Sequence, residues 1–184
     1  MEFVCADPAA LVRAANVRAA IDAFSFAPSI GKRFIAKHKL SLDDLTAERF
    51  VPVQGWLDAL EDIQLTVGVG VVRAVGSRII ENAEFPSEFS TVESILESLD
   101  AIYHRNHRGE VGHYRFERRD EAIVVRCETP YPQHFEWGLL EGICRWKAAR
   151  GRRYVVTLEP APPGGDLTCT LTVHSETTVR GKWR

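Results

Sequence analysis

No two of the four cysteines stand close together: Cys5, Cys127, Cys144 and Cys169 are scattered along 184 residues. That spacing excludes a disulfide miniprotein and any C-x-x-C zinc knuckle. Long apolar runs are missing as well. The most apolar stretch, Leu65 to Val72, is interrupted by two glycines and falls far short of the ~18 residues a membrane span needs. No excess of one charge exists either. Lys+Arg number 23 against Asp+Glu 25, a net charge of -2. A nucleic-acid surface leaves a strong basic excess, so none is expected. Met1 to Pro8 lacks a charged start followed by an apolar run, so no signal peptide is expected. The chain reads as cytoplasmic, with reduced thiols. Gly68-Val-Gly70 lacks a third glycine and follows no strand, so it is no phosphate loop. A G-x-S-x-G nucleophile elbow is absent too.

What is present suits one folded unit. Hydrophobic residues make up 45% and charged residues 26%, enough for a sizeable core in a water-facing protein. The length suits a single domain. The expected division is a helical extension over 1–54, a core over 55–176 and a tail over 177–184. Frequent Ala and Arg point to a bacterial source.

Helical signals fill the first half. Asp7-Pro8 starts a helix that carries Leu11, Ala15, Val17 and Ile21. Ile30 to His38 reads as a second helix, and Ser41 to Asp44 cap a third. Trp56, Leu60, Ile63, Val67, Val71, Val75 and Ile79 then recur at steps of three and four, an amphipathic helix pattern. Gly68, Gly70 and Gly76 interrupt it, each at a cost of ~1 kcal/mol against Ala. Close approach of another backbone, or a break into two helices, explains them. A second copy of the chain is one such neighbour, so a homodimer is expected. Phe85 to Ser87 end the region. Ser90, with Glu93 three residues on, reads as a capping box for a helix reaching Tyr103. His104 and His107 fall in its last turn, and Gly109 closes it.

The periodicity then changes to that of strands. Val111 to Arg118 and Ala122 to Cys127 form a hairpin around Arg119 to Glu121. Phe135 to Arg150 is helical. Arg153 to Leu158 and Leu167 to Val173 are strands. Helices followed by β-β-α-β-β predict an α+β fold, with N-terminal helices packed on an antiparallel sheet.

Few side chains are arranged for chemistry. His104 and His107 stand three apart and could hold a metal, but without a third ligand a cationic helix end reads better. The cysteines sit at apolar positions and read as core. Arg145, Lys147, Arg150, Arg152 and Arg153 cluster locally, as a solvated helix end or an anion-binding patch. Ring-bearing residues crowd the second half, where they serve either a core or an aromatic ligand pocket.

Three segments carry a resemblance. Trp137-Gly138-Leu-Leu-Glu-Gly142-Ile, Tyr154-Val-Val-Thr-Leu-Glu159 and Gly164-Gly165-Asp-Leu-Thr-Cys169-Thr-Leu-Thr-Val173 together resemble the 4-vinyl reductase domain family. The match extends loosely back to Val75-Gly76. It implies the ligand-binding fold shared by haem nitric-oxide sensors, Golgi trafficking-particle subunits and phenol-sensing regulator domains. In sensor members a zinc is held by a Cys before the G-x-x-x-G helix, a Glu and two Cys around the glycine turn. Glu159 and Cys169 match two of those positions, while Gln133 and Pro160-Ala161-Pro162 stand near the others. Two ligands leave a four-coordinate site incomplete, so no zinc is expected. In haem members the proximal His follows Leu-Asp-x-x. Here Leu99-Asp100-Ala101-Ile102 leads to Tyr103, and the Tyr-x-Ser-x-Arg clamp is missing near Val125 to Pro132. Tyrosine can ligate haem iron and His104 is adjacent. Haem held in the family manner is nevertheless not expected, and no cofactor is.

The leading expectation is a non-enzymatic regulatory or signalling sensor that binds a small apolar or aromatic ligand. Tyr103, His113 and Trp137 are its candidate pocket residues, with His113 orienting the ligand. The alternative is a filled-core interaction module, a partner subunit in a signalling or trafficking-like complex. An internal cavity of a few hundred Å³ favours the first, ~300 Å³ being the lower end for ligand sites. A cysteine enzyme using Cys127 or Cys144 with His134 ranks third.

Overall fold

The computed structural model describes residues 3–25, 27–38, 40, 49–83, 89–120, 122–147, 152–160 and 168–177. In chain order the elements are β1 (Leu11–Arg13), α1 (Ala14–Ala23), α2 (Pro28–Lys37), β2 (Phe50–Pro52), α3 (Val53–Val67), α4 (Val69–Asn82), α5 (Val92–Glu97) and α6 (Leu99–Arg105). Then follow β3 (His107–Arg108), β4 (His113–Arg119), β5 (Ala122–Glu128), α7 (Gln133–Lys147), β6 (Arg152–Leu158) and β7 (Cys169–Thr177). This is the expected α+β class. Its main sheet is antiparallel in the order β4-β5-β7-β6, and β2-β1-β3 form a small second sheet.

Register in the main sheet sorts side chains by face. Tyr114 pairs with Cys127, and Cys127 with Cys169, and all three are buried. The next positions, Arg115 and Arg126, pair with each other and are exposed. That is the period-two alternation of a sheet with one covered face.

Helix α7 packs against both β6 and α4. The approach of α4 is so close that only glycine fits. A Cβ at Gly76 would lie 2.0 Å from the Phe135 carbonyl oxygen, and one at Gly138 would lie 1.9 Å from that of Arg73. Gly142 meets the Ser77 carbonyl in the same way, at 2.6 Å. Beside this seam Arg73 donates to both carboxylate oxygens of Glu141, at 2.9 and 2.6 Å. The backbone that Gly76 makes room for therefore belongs to the same chain. Gly76 thus gives no sign of a second copy. Gly68 marks the break between α3 and α4, and only Gly70, where a Cβ would touch nothing within 4 Å, stays open to a homodimer contact.

Several boundaries differ from the sequence reading. The long helix breaks at Gly68, which has φ 104 and separates α3 from α4. The first helix starts later, because Leu11 to Arg13 pair as β1 with β2 and β3. Asp7 instead caps a turn, accepting from the Ala9 N–H at 2.9 Å and from the Glu110 N–H at 3.0 Å. The capping box is made by Thr91 and Ser94 rather than Ser90 and Glu93. Its helix is interrupted at Ser98, giving α5 and α6. The readings at Ser41 to Asp44, Phe85 to Ser87, Gly164-Gly165 and the 178–184 tail lie outside the described residues. Among those described, no helix is long and apolar enough to cross a membrane.

Candidate functional site

Helix α6 stops at Arg105, and the chain re-enters an extended path at His107. The turn at Asn106 breaks the three-residue spacing, so His104 and His107 do not share a helix face. His104 stays part-exposed while His107 is buried. The His107 Nδ1 lies 2.9 Å from the Tyr103 carbonyl oxygen. A carbonyl only accepts, so Nδ1 carries the proton. Nε2 then keeps its lone pair and accepts from the Tyr131 hydroxyl at 2.7 Å. Burial pushes the His107 pKa down to about 4, so the ring is neutral at pH 7.

Aromatic rings surround this imidazole. The Tyr103 ring centroid is 4.1 Å from His107 and 5.0 Å from Tyr114, the latter nearly perpendicular. Tyr131 stacks on Phe135 at 4.8 Å. Burial holds the Tyr103, Tyr114 and Tyr131 hydroxyls well above their ordinary pKa. Between these rings and the helical layer lies a cavity of about 40 Å³, reached also by Asn16 of α1 and Trp56 of α3. Trp56 Nε1 and Asn16 Oδ1 are both buried without a hydrogen-bond partner in the protein. An unmet buried polar group costs ~1–3 kcal/mol. Both residues line the cavity, so its helical wall holds one unmet donor and one unmet acceptor.

A second buried titratable group lies behind the Tyr114 wall. Glu136, in the first turn of α7, accepts from the Tyr114 hydroxyl at 2.5 Å and from the Thr129 hydroxyl. Burial raises its pKa to about 7, although both hydrogen bonds pull it down.

The three candidate pocket residues lie apart. Tyr103 lines the cavity. His113 begins β4 on the surface, 57% exposed, beside Asp100 and His104. It faces out because the buried register of β4 starts one residue later, at Tyr114. Trp137 sits on α7 away from the cavity. Its Nε1 donates to the Val156 carbonyl at 3.1 Å, and the Arg73 guanidinium lies 3.6 Å from its ring centroid. Glu159 accepts from the Thr172 hydroxyl at 2.6 Å, whereas Cys169 faces Cys127. All four cysteines are buried free thiols. Burial pushes Cys127 well up and Cys144 to about 12, which leaves both protonated and poor nucleophiles. The basic cluster is partly tied down, with Arg145 donating to Ser77 and Arg152 to Glu93.

Sequence reasoning missed His107, Tyr131, Glu136, Asn16 and Trp56 as neighbours. The density of rings between Tyr103 and Trp137 was the available signal for the aromatic wall. Asn16, a polar residue among Ala14, Ala15 and Val17, was the signal for the helical wall.

No family model matches the chain, and no curated protein matches it. Solved structures do. An H-NOX protein from S. oneidensis in the Fe(II) ligation state is 14% identical, with a TM-score of 0.68 over 89% of this chain and 96% of that one. An oxygen-binding H-NOX domain related to soluble guanylate cyclases is 14% identical, with a TM-score of 0.62 over 89% and 92%. A protein studied for haem redox potential set by porphyrin distortion gives 14%, 0.63, 89% and 92%. The chain has the H-NOX fold, that of haem nitric-oxide sensors. This overturns the expectation against haem. That expectation rested on a missing proximal His and a missing clamp, both sought by spacing along the chain. The fold is shared with proteins that carry Fe(II) or haem, and here a buried neutral imidazole reaches the cavity from His107, four residues beyond the position where the motif was sought.

Proposed function

We propose that the chain is a non-enzymatic sensor domain that binds a small ligand in the aromatic cavity, with haem as its cofactor. The observation that carries this reading is the neutral imidazole of His107, whose Nε2 accepts from Tyr131 and which lines the same cavity as Trp56 and Asn16, each with an unmet polar atom. Imidazole and phenol are side chains that hold haem iron, so the donor set fits. His107 would hold the iron once Tyr131 releases Nε2, and Tyr103 and Phe135 would flank the ring. Bound haem would supply an iron centre for a diatomic gas such as the oxygen taken by the oxygen-binding H-NOX domain. The protein's part is to exclude water, fix the His107 tautomer through the Tyr103 carbonyl, and present the Trp56 and Asn16 groups. As folded, the cavity of about 40 Å³ has room for about three waters. Small-molecule sites take ~300–1,000 Å³, so haem loading requires the helical layer and the aromatic wall to part.

The small volume, far below the ~300 Å³ lower end for ligand sites, favours a second reading, the filled-core interaction module. Both readings keep the link to the 4-vinyl reductase domain, supported by the use of Gly138 and Gly142 against α4. Free thiols at all four cysteines support a cytoplasmic setting. The homodimer stays part of the proposal, and sedimentation of the purified chain checks it.

Titration of the untagged chain with haemin tests the leading reading. A saturable one-to-one Soret band that His107→Ala weakens at least tenfold is expected. No saturable band overturns haem. No thermal shift with haem or with a panel of apolar and aromatic compounds overturns the cavity as a ligand site, and leaves the filled-core interaction module.

A further inference from the structure

Outside the cavity, α6 and β4 bring together three metal-ligating side chains. Asp100 and His104 stand one turn apart on α6, and His113 begins β4 opposite them. Asp100 Oδ1, His104 Nε2 and His113 Nδ1 all lie within 4.8 Å of one another. The three separations are 3.3 Å between the imidazoles, 3.4 Å from His113 to Asp100 and 3.6 Å from His104 to Asp100. Among the described residues no other group of three such side chains could hold a metal ion.

Hydrogen bonding accounts poorly for this arrangement. Hydrogen bonds to nitrogen and oxygen cluster near ~2.9–3.0 Å, and all three separations are longer. They match another length. A tetrahedral ion with ligands at ~2.0–2.2 Å sets its donor atoms about 3.3–3.6 Å apart. We propose that Asp100, His104 and His113 form a zinc-type divalent transition-metal site, with the fourth position open to water or an exogenous ligand.

The local structure supports that assignment in three ways. The Tyr114 backbone N–H donates to Asp100 Oδ1 at 2.8 Å, which fixes the carboxylate against the start of β4. Such outer contacts orient metal ligands. The nearby Arg115 guanidinium is engaged by Glu128 at 2.8 Å, so its charge is answered away from the cluster. His113 is more than half exposed, which gives an ion a route from solvent. Two imidazoles with one carboxylate suit zinc and its late first-row neighbours better than magnesium or calcium. The site does not depend on the cavity reading, because His107 points inward and takes no part. It meets the cavity wall through the His104 ring, which packs edge-on against Tyr103 at 5.5 Å, and through the backbone N–H of Tyr114.

The test uses the untagged 184-residue chain, stripped with chelator. Cobalt(II) is titrated first, for its visible absorption in a tetrahedral nitrogen–oxygen set, and zinc(II) is then added to displace it. One cobalt per chain is expected, displaced by one zinc, with half-saturation on the order of micromolar. His104→Ala and His113→Ala should each weaken binding tenfold or more. Asp100→Asn keeps an acceptor for the Tyr114 N–H and should also weaken it, so a loss there is no folding artefact. His174→Ala, exposed on β7, should leave binding unchanged. Wild-type binding only at millimolar metal, or undiminished binding in the His104→Ala/His113→Ala double variant, overturns the site.

Discussion

His107 and Glu136 are both buried beside the ring cluster, and burial moves their proton affinities in opposite senses. His107 falls from 6.5 to about 4, and Glu136 rises from 4.5 to about 7. Between about pH 4 and 6.5 the unfolded chain holds a proton on His107 that the folded chain lacks. That contribution is fully present above 6.5 and is lost as pH falls toward 4. Between about pH 4.5 and 7 the folded chain holds a proton on Glu136 that the unfolded chain lacks. That contribution is present below 4.5 and is lost as pH rises toward 7. Each slope is at most ~1.4 kcal/mol per pH unit, and they cancel where they overlap. Glu136→Gln keeps an acceptor for Tyr114 and removes one slope. Its urea-unfolding stability should then rise by about 2–3 kcal/mol from pH 4.5 to 6.5, whereas the wild type changes little from this pair. A flat profile in the variant would show that His107 is not held neutral by the fold.

At the scale of elements, the α4–α7 seam is the most demanding contact. Gly76→Ala or Gly138→Ala would drive a Cβ into a backbone carbonyl, which no side-chain rotation relieves. The helices must separate, and overpacking of this kind costs ~1–3 kcal/mol or more. Urea midpoints for both variants should fall accordingly. Gly70→Ala lies in the same helix with open space around it, and should hold or raise stability by up to ~1 kcal/mol. A gain at all three positions would mean that helix propensity, not close approach, governs the seam. The glycines were visible in the sequence as interruptions of an apolar pattern, but their partner was not. Spacing along α4 cannot say whether the backbone it admits is α7 or a second chain. Three-residue strands such as β1 and β2 were invisible for a related reason, being too short to show alternation. The β4-β5-α7-β6-β7 succession was legible because each element is long enough to display its own period.

At the scale of the molecule, the cavity gathers residues from Asn16 to Leu139, so no local pattern announces it. Tyr103 was found through the crowding of rings around it. His113 and Trp137 share that crowding yet face elsewhere, since one strand register and one helix face decide which side is inward. A site assembled from α1, α3, α4, α6, β3, β4 and α7 also makes a global prediction, because a ligand there touches most of the layers that must separate on unfolding. Binding only the folded chain stabilises it by about 2.7 kcal/mol when free ligand is a hundredfold above Kd. For a chain of this size ~1 kcal/mol moves Tm by ~2–4 °C. Haem at that excess should therefore raise Tm by about 5–11 °C in the wild type. His107→Asn keeps a donor for the Tyr103 carbonyl but removes the Nε2 lone pair, and it should lose most of the shift. A shift of equal size in both proteins would place haem away from His107, and with it the centre from which the sensor reading is built.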